Sequence, residues 1–226
     1  MNTVVSHYLW KPLKSIGRAF AFLDTFTAQV VASIIFAATV WVVALAALSG
    51  DSKLVVSSAA AVASIVFYIR AYTTKNSARV CWNLILVGNL FGALFLGLAS
   101  GGGWGYLVAY GVGVAAAFVA GHLCLGYLQA KGQSITLRNY HGSIYAFKKL
   151  GHVFFIICLL LVAFPISPSF LAQDSMLSAI PQSHAAQVLL FGCAYLLVGV
   201  SVMRLYTKVF FGPHATSHHE IAYKSS

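Results

Sequence analysis

Long apolar runs separated by short polar stretches dominate this chain. Five runs are close to or above the roughly 20 residues that an α-helix needs to cross the hydrocarbon of a bilayer, and a sixth is interrupted by two prolines. The pattern predicts six membrane-spanning helices, at about 26–48, 54–72, 82–99, 104–129, 152–180 and 185–211. We therefore expect an all-α polytopic membrane protein.

The composition supports the same class. Hydrophobic residues make up 60% of the 226 residues, and charged residues only 8%. A soluble domain of this size does not have enough polar side chains to cover its surface with such a balance. The lipid bilayer is therefore the first expected partner.

The positions of the basic residues predict the topology. The formal net charge is +10, and thirteen of the fourteen Lys and Arg residues fall on alternate connections, with only Lys53 on the opposite side. Cytoplasmic connections of membrane proteins carry such an excess of Lys and Arg. We expect both termini in the cytoplasm, and the charge requires no nucleic-acid partner.

The segment before the first span is predicted to be amphipathic. Leu9, Leu13, Ile16, Phe20 and Leu23 recur at helical spacing, so a helix at 8–23 can lie on the inner membrane surface or present a face to a partner subunit. The expected organisation is an amphipathic segment (1–25), a six-helix membrane domain (26–213) and a cytoplasmic tail (214–226).

The proline-containing run is the most informative part of the chain. An unbroken helix over 152–180 would be about 43 Å long, whereas the hydrocarbon is about 30 Å thick. Either the helix ends near Phe164 and Asp174 lies in an outer loop, or the helix is discontinuous and Asp174 lies within the membrane. Ionisable groups at that depth usually mark ion pathways.

The discontinuous alternative has a clear local chemistry. Ser167 is a suitable N-cap and Pro168 a suitable first residue for a second half-helix, since the missing N–H of that proline is not needed there. Asp174 then follows two turns on. A carboxylate in a medium of low dielectric holds its proton more tightly, so a neighbouring cation can switch its protonation. This arrangement favours proton or cation transport.

The C-terminal third resembles a known family of membrane subunits. The matching residues are His141-Gly142, Phe164-Pro165-Ile166-Ser167-Pro168-Ser169-Phe170, Asp174, Leu177, Arg204-Leu205-Tyr206 and Phe210-Phe211-Gly212-Pro213. Together they are similar to the antiporter-like, proton-conducting subunits of respiratory complex I, multisubunit cation/proton antiporters and two-component inorganic-carbon uptake complexes. The Phe-Pro-Ile-x-Pro-x-Phe form is nearest to the carbon-uptake branch. The resemblance implies that the fifth span is broken at Pro165–Pro168.

The resemblance also implies a function. It predicts a subunit of an energy-coupled complex in a bacterial-type inner membrane, which conducts protons or cations to drive a larger partner subunit. The chain is not expected to be an enzyme on its own. The candidate pathway residues are Asp174, His122, Lys148, Lys149 and Gln173. No metal or cofactor is expected in this reading.

Departures from the family pattern keep two other functions open. The chain has less than half the usual family length, Gln173 stands where many relatives carry Lys or Glu, and His122 is the only ionisable residue deep in the fourth span. One alternative is a structural or anchoring subunit that has lost conduction. The other is a haem- or quinone-binding membrane subunit, for which His122 is the candidate ligand.

Small and amide residues predict how the spans pack. Residues four apart with small side chains let helices approach closely in lipid, so we expect a tight bundle centred on the third and fourth spans. Asn83 and Asn89 should form hydrogen bonds within it. The small residues are Gly88, Gly92, Gly113, Ala117 and Gly121. The four cysteines, Cys81, Cys124, Cys158 and Cys193, show no CxxC spacing and are expected to pack as small apolar residues.

Overall fold

A computed structural model describes residues 10–45, 50–101, 104–165, 167–181 and 184–213, and the regular structure of these residues is helical. The helices are α1 (Lys11–Ala19), α2 (Phe26–Leu45), α3 (Gly50–Thr73), α4 (Ala78–Ala99), α5 (Trp104–Ala130), α6 (Lys148–Leu161), α7 (Pro168–Ser178) and α8 (Ala185–Phe210). A short 3₁₀ helix, Ala21–Asp24, joins α1 to α2.

Four helical stretches are long and apolar enough to cross a membrane: Ser52–Thr73, Ala78–Ala99, Gly105–Ala130 and Ala185–Phe210. The apolar stretch described in α2, Phe26–Val40, is shorter. The prediction of an all-helical, multi-pass membrane protein is confirmed at this level. Six spans and two cytoplasmic termini stay predictions, and residues 1–9 and 214–226 lie outside the described residues.

Helix α4 is the centre of the fold. It is buried on most of its circumference because α2, α3, α5, α7 and α8 all pack against it, as expected for a helix that is apolar all round. Trp82 of α4 is fully buried, and its indole N–H donates to the carbonyl of Phe118 in α5 at 3.0 Å. The bundle is therefore organised around the predicted third span.

The predicted small residues lie at close helix contacts. A Cβ added to Gly121 would lie 2.2 Å from the Trp82 ring, and one added to Gly88 would lie 2.4 Å from the Tyr68 ring. At Gly113 the same atom would lie 3.1 Å from the Cβ of Ser169. Bulky aromatic side chains thus occupy space that glycines on the neighbouring helices leave open.

The predicted fifth span consists of two helices, α6 and α7, which both pack along α5. Tyr127 of α5 meets Phe147, just before α6, with ring centroids 6.1 Å apart. Gly113 meets Ser169 at the start of α7. The chain from 147 to 169 therefore runs antiparallel to α5 and covers about 21 Å of it.

The connection at 131–147 fastens the ends of two helices together. The Leu137 N–H donates to the Asn76 carbonyl at 2.8 Å, beside the start of α4. The Gly142 N–H donates to the Phe211 carbonyl at 3.1 Å, at the end of α8. Gly142 has a φ of 64°, and a Cβ there would lie 2.8 Å from the carbonyl oxygen of Pro213. The His141-Gly142 motif is thus in direct contact with the Phe210-Phe211-Gly212-Pro213 motif.

Helix α1 packs on the end of α3. The rings of Trp10 and Tyr72 stack with centroids 5.2 Å apart, and Gly17 lies against Thr73. Leu13 is half-buried and Ile16 exposed. The segment is therefore attached to the bundle through one face and leaves another free.

Close packing at Gly121 makes a testable prediction. Gly121→Ala forces Trp82 to move and should lower the free energy of unfolding by about 1–3 kcal/mol. The matched control is Gly111→Ala in the same helix, where no atom lies within 4 Å of the added Cβ. This control should be neutral or stabilising by up to about 1 kcal/mol, since Ala is the better helix former. Unfolding of both variants in detergent micelles measures the difference, and equal stabilities would contradict the packing described.

Candidate functional site

The helix break between α6 and α7 is the first candidate site. Helix α6 ends at Leu161, and Ala163 adopts a positive φ of 50°, which is unusual for a residue other than glycine. The hydroxyl of Ser167 accepts from the N–H of Phe170 at 3.1 Å, and Pro168 is the first residue of α7. The local geometry is that of one helix stopping and a capped second helix starting, at the residues where the sequence predicts an interruption.

Side chains satisfy backbone groups that the break sets free. Tyr195 of α8 donates its hydroxyl to the carbonyl of Ala163 at 3.3 Å. Ser169 donates to the carbonyl of Leu160, also at 3.3 Å. In hydrocarbon an irregular backbone is tolerated only where protein groups or a cavity supply such partners. Side chains of α7 and α8 therefore bind two carbonyls at the carboxyl end of α6.

Contacts between α4 and α5 define the depth of the break. The Tyr110 hydroxyl donates to Oδ1 of Asn89 at 2.9 Å, and Asn89 is the middle of α4, which is long enough to span. Gly113 lies about one turn from Tyr110 and contacts Ser169. The break therefore lies within about 5 Å of the level of the centre of α4.

A small polar cavity adjoins the break. It encloses about 10 Å³, and its polar walls are Tyr68, Asn89, Tyr110, Gln173 and Tyr195. This volume and this number of polar groups suit about one water molecule. Gln173 is buried, at 6% exposure, and its side-chain amide makes no hydrogen bond with another described residue. Its amide is thus available to the cavity.

Asp174, the next residue, faces away from the cavity. Its side chain is exposed on the outer face of α7, together with Leu171 and Ser178 at helical spacing. Among the described residues, no hydrogen bond or ion pair engages its carboxylate. Asp174 lies about 7.5 Å beyond Ser169 along α7, so it is at most about 12.5 Å from the level of Asn89. A carboxylate without a partner among the described residues is therefore presented on the outer surface of the bundle.

His122 belongs to a second polar site. Its Nε2 lies 2.8 Å from Oδ1 of Asn83, and because that oxygen accepts, Nε2 is the donor. The Asn83 amide donates to Oε1 of Gln29 at 3.1 Å, and Gln29 donates to the Leu23 carbonyl at 3.2 Å. The expected hydrogen bonds of Asn83 are thus present, as are those of Asn89. An apolar groove of about 550 Å³ opens along this chain of polar groups.

The structure does not bring the five predicted pathway residues together. Gln173 lines the cavity, whereas Asp174 faces outward. His122 lies twelve residues from Tyr110 on α5, or about 18 Å by helical rise. Lys148 and Lys149 are exposed at the start of α6. Their roles in proton transfer stay predictions, and any pathway needs groups from outside this set.

An ion pair near the predicted inner surface was not recognised in the sequence. Asp24 accepts from Nε and Nη2 of Arg70 at 2.6 and 2.5 Å, and both side chains are at least nine-tenths buried. Thr74 and Asn76 each donate to the same carboxylate at 2.7 Å. Asp24 is the only acidic residue before position 51, and that isolation among basic residues was the available signal.

Arg204 of α8 caps the carboxyl end of α3. Its guanidinium donates to the carbonyl of Thr74 at 2.9 Å and lies over the Tyr72 ring, 5.4 Å from the centroid. Cations at a helix C-terminus bind the free carbonyls and interact favourably with the helix dipole. The last helix thus supplies the cap for an early one.

A scan against models of protein families finds none that matches the chain, and a search of curated proteins finds no match. The similarity to antiporter-like subunits therefore stays a prediction that rests on the residues quoted above.

The buried ion pair gives a prediction for stability. Asp24→Ala leaves the Arg70 charge without its partner and should cost about 3–5 kcal/mol of folding free energy. Replacing both residues, as in Asp24→Ala with Arg70→Met, should cost less than the sum of the two single changes. Unfolding of the single and double variants in detergent forms a double-mutant cycle. Strict additivity would contradict a coupled pair.

Proposed function

We propose that this chain is a membrane subunit of an energy-coupled complex, in which it conducts protons or cations to drive a partner subunit. The observation that carries the proposal is a helix break level with the centre of α4, beside a cavity lined by polar side chains. A discontinuous helix at the centre of a span is typical of ion-transporting membrane proteins. The sequence resemblance to antiporter-like subunits points in the same direction.

The position of Asp174 supports a partner in the membrane. An aspartate at the centre of a spanning helix costs about 2.5–3.5 kcal/mol when lipid is its environment. Asp174 is exposed on α7, at most about 12.5 Å from the level of Asn89 by helical rise, without a hydrogen-bonding or charged partner among the described residues. A second membrane protein that covers this face with a cation or a hydrogen-bond donor removes the cost. We place the ion pathway at that seam rather than inside this chain alone.

The surroundings of Asp174 determine whether its carboxyl group carries a proton. Asp174 is the group that gains and loses a proton, because a neutral carboxyl is favoured while its surroundings are apolar and an anion is favoured once a cation approaches. Gln173, one position earlier, is buried on the inward face of α7 and lines the cavity. The half-helix therefore holds an ionisable group outward and a polar uncharged group inward.

The test is proton flux through the assembled complex, isolated with the tagged chain and reconstituted in vesicles with a pH-sensitive dye. Asp174→Asn removes the titratable group and should slow flux on the order of 10²-fold. Asp174→Glu should retain much of it. The matched control is Ser178→Ala, one turn further along the same exposed face, which should leave flux unchanged. Unaltered flux in Asp174→Asn would contradict conduction through this residue.

A structural or anchoring role without conduction is the second candidate. It is favoured by the cavity itself, whose polar walls are uncharged phenol and amide groups, and by the separation of His122 from Asp174. In this case Asp174 contributes to assembly only. The Asn variant would then either assemble with normal flux or fail to retain its partner, whereas in the conducting subunit it assembles and conducts slowly.

A further inference from the structure

The largest basic feature of the described structure is a cleft between α1 and the carboxyl ends of α3 and α8. It encloses about 870 Å³, and seven of its ten lining residues are Lys or Arg. Arg70 is neutralised by Asp24. The other six are Lys14, Arg18, Lys75, Arg138, Arg204 and Lys208.

These six cations have no internal counter-charge in the described part of the chain. The residues that line the cleft include no Asp or Glu, and the ion pair seen among the described residues is the one that Arg70 makes. Arg204 is held by backbone carbonyls, and the Lys208 ammonium lies 3.7 Å from the centre of the Tyr140 ring. Several like charges that face one cleft attract a multiply charged anion.

An apolar groove continues from the cleft along α8. It encloses about 640 Å³ and shares Tyr72 and Arg204 with the basic cleft. Leu196, Val200 and Met203 line it at helical spacing, and all three are exposed. From Tyr195 to Thr207 it follows about 18 Å of the helix. The basic cleft thus continues into the apolar groove on the same face of the molecule.

We infer that the cleft and the groove together form a binding site for an anionic phospholipid with more than one phosphate. The headgroup phosphates lie among the six cations, and one acyl chain lies along α8. Position supports a lipid over a free anion: the stacked Trp10 and Tyr72 border the cleft, and such aromatic residues are enriched where helices leave the hydrocarbon. A soluble phosphate would make no use of the groove.

Native mass spectrometry of the full-length protein, in detergent with defined lipids added, tests the site. The probes are phosphatidylcholine, phosphatidylglycerol and cardiolipin, which carry a neutral headgroup, one net charge and two phosphates. Cardiolipin should be retained best. The triple variant Lys14→Gln, Arg18→Gln, Lys75→Gln should weaken its binding about 10²-fold, because each interfacial cation contributes severalfold. These three residues make no described ion pair, so the fold should persist, as thermal unfolding will show.

A charge-matched control separates a site from general attraction. Lys131→Gln, Lys148→Gln and Lys149→Gln remove three cations that lie outside the cleft, and cardiolipin binding should change by less than about threefold. An equal loss in both triple variants would overturn the inference, as would equal retention of the three lipids.

A second arm distinguishes a lipid from a free phosphate. Val200→Trp fills the groove and should weaken cardiolipin binding while leaving any binding of inorganic pyrophosphate unchanged. Pyrophosphate should displace the lipid poorly. Efficient displacement, together with unchanged lipid binding by the Val200 variant, would overturn the lipid in favour of a soluble anion.

Discussion

The requirement that every backbone polar group find a partner within the protein governs this fold. Regular helices meet it along most of the chain, and the α6–α7 break meets it through side chains. Tyr195 from α8 and Ser169 from α7 bind carbonyls at the break, and Ser167 caps the second half-helix. These partners come from different parts of the chain, so the break is a property of the assembled bundle. The polar cavity lies directly against them.

Helix α4 connects the polar features to one another. Asn83 takes part in the chain of hydrogen bonds that includes His122, and Asn89 binds Tyr110 at the cavity. The two asparagines lie six residues apart, or about 9 Å, on the most buried helix of the bundle. The Asp24–Arg70 pair lies beside the amino-terminal end of α4, where Asn76 donates to Asp24, and the basic cleft adjoins this pair. Polar groups thus follow α4 from its amino-terminal end to its centre.

Much of the architecture was predictable because it depends on local pattern. Apolar runs identified the helices, and Pro165, Ser167 and Pro168 marked the interruption through their own backbone chemistry. Small residues marked the close contacts at Gly88 and Gly121, since only a missing side chain admits the facing aromatic ring. These features need no knowledge of distant residues.

The candidate site was less predictable because it depends on helix rotation and on pairing between distant residues. Successive side chains on a helix differ in direction by about 100°, so packing on α5 decides that Gln173 faces inward and Asp174 outward. Tyr68 and Tyr110 read as ordinary apolar-span residues until the fold places them at one cavity. Asp24 and Arg70 are 46 positions apart, and no local signal pairs them.

The hydrogen bond from Arg204 to the carbonyl of Thr74 spans 130 positions and has a consequence for biogenesis. The α3–α4 hairpin emerges from the ribosome long before α8, and until α8 is inserted the carboxyl end of α3 lacks its arginine. Nascent chains halted before α8 therefore carry a hairpin whose first helix lacks this hydrogen bond at its carboxyl end.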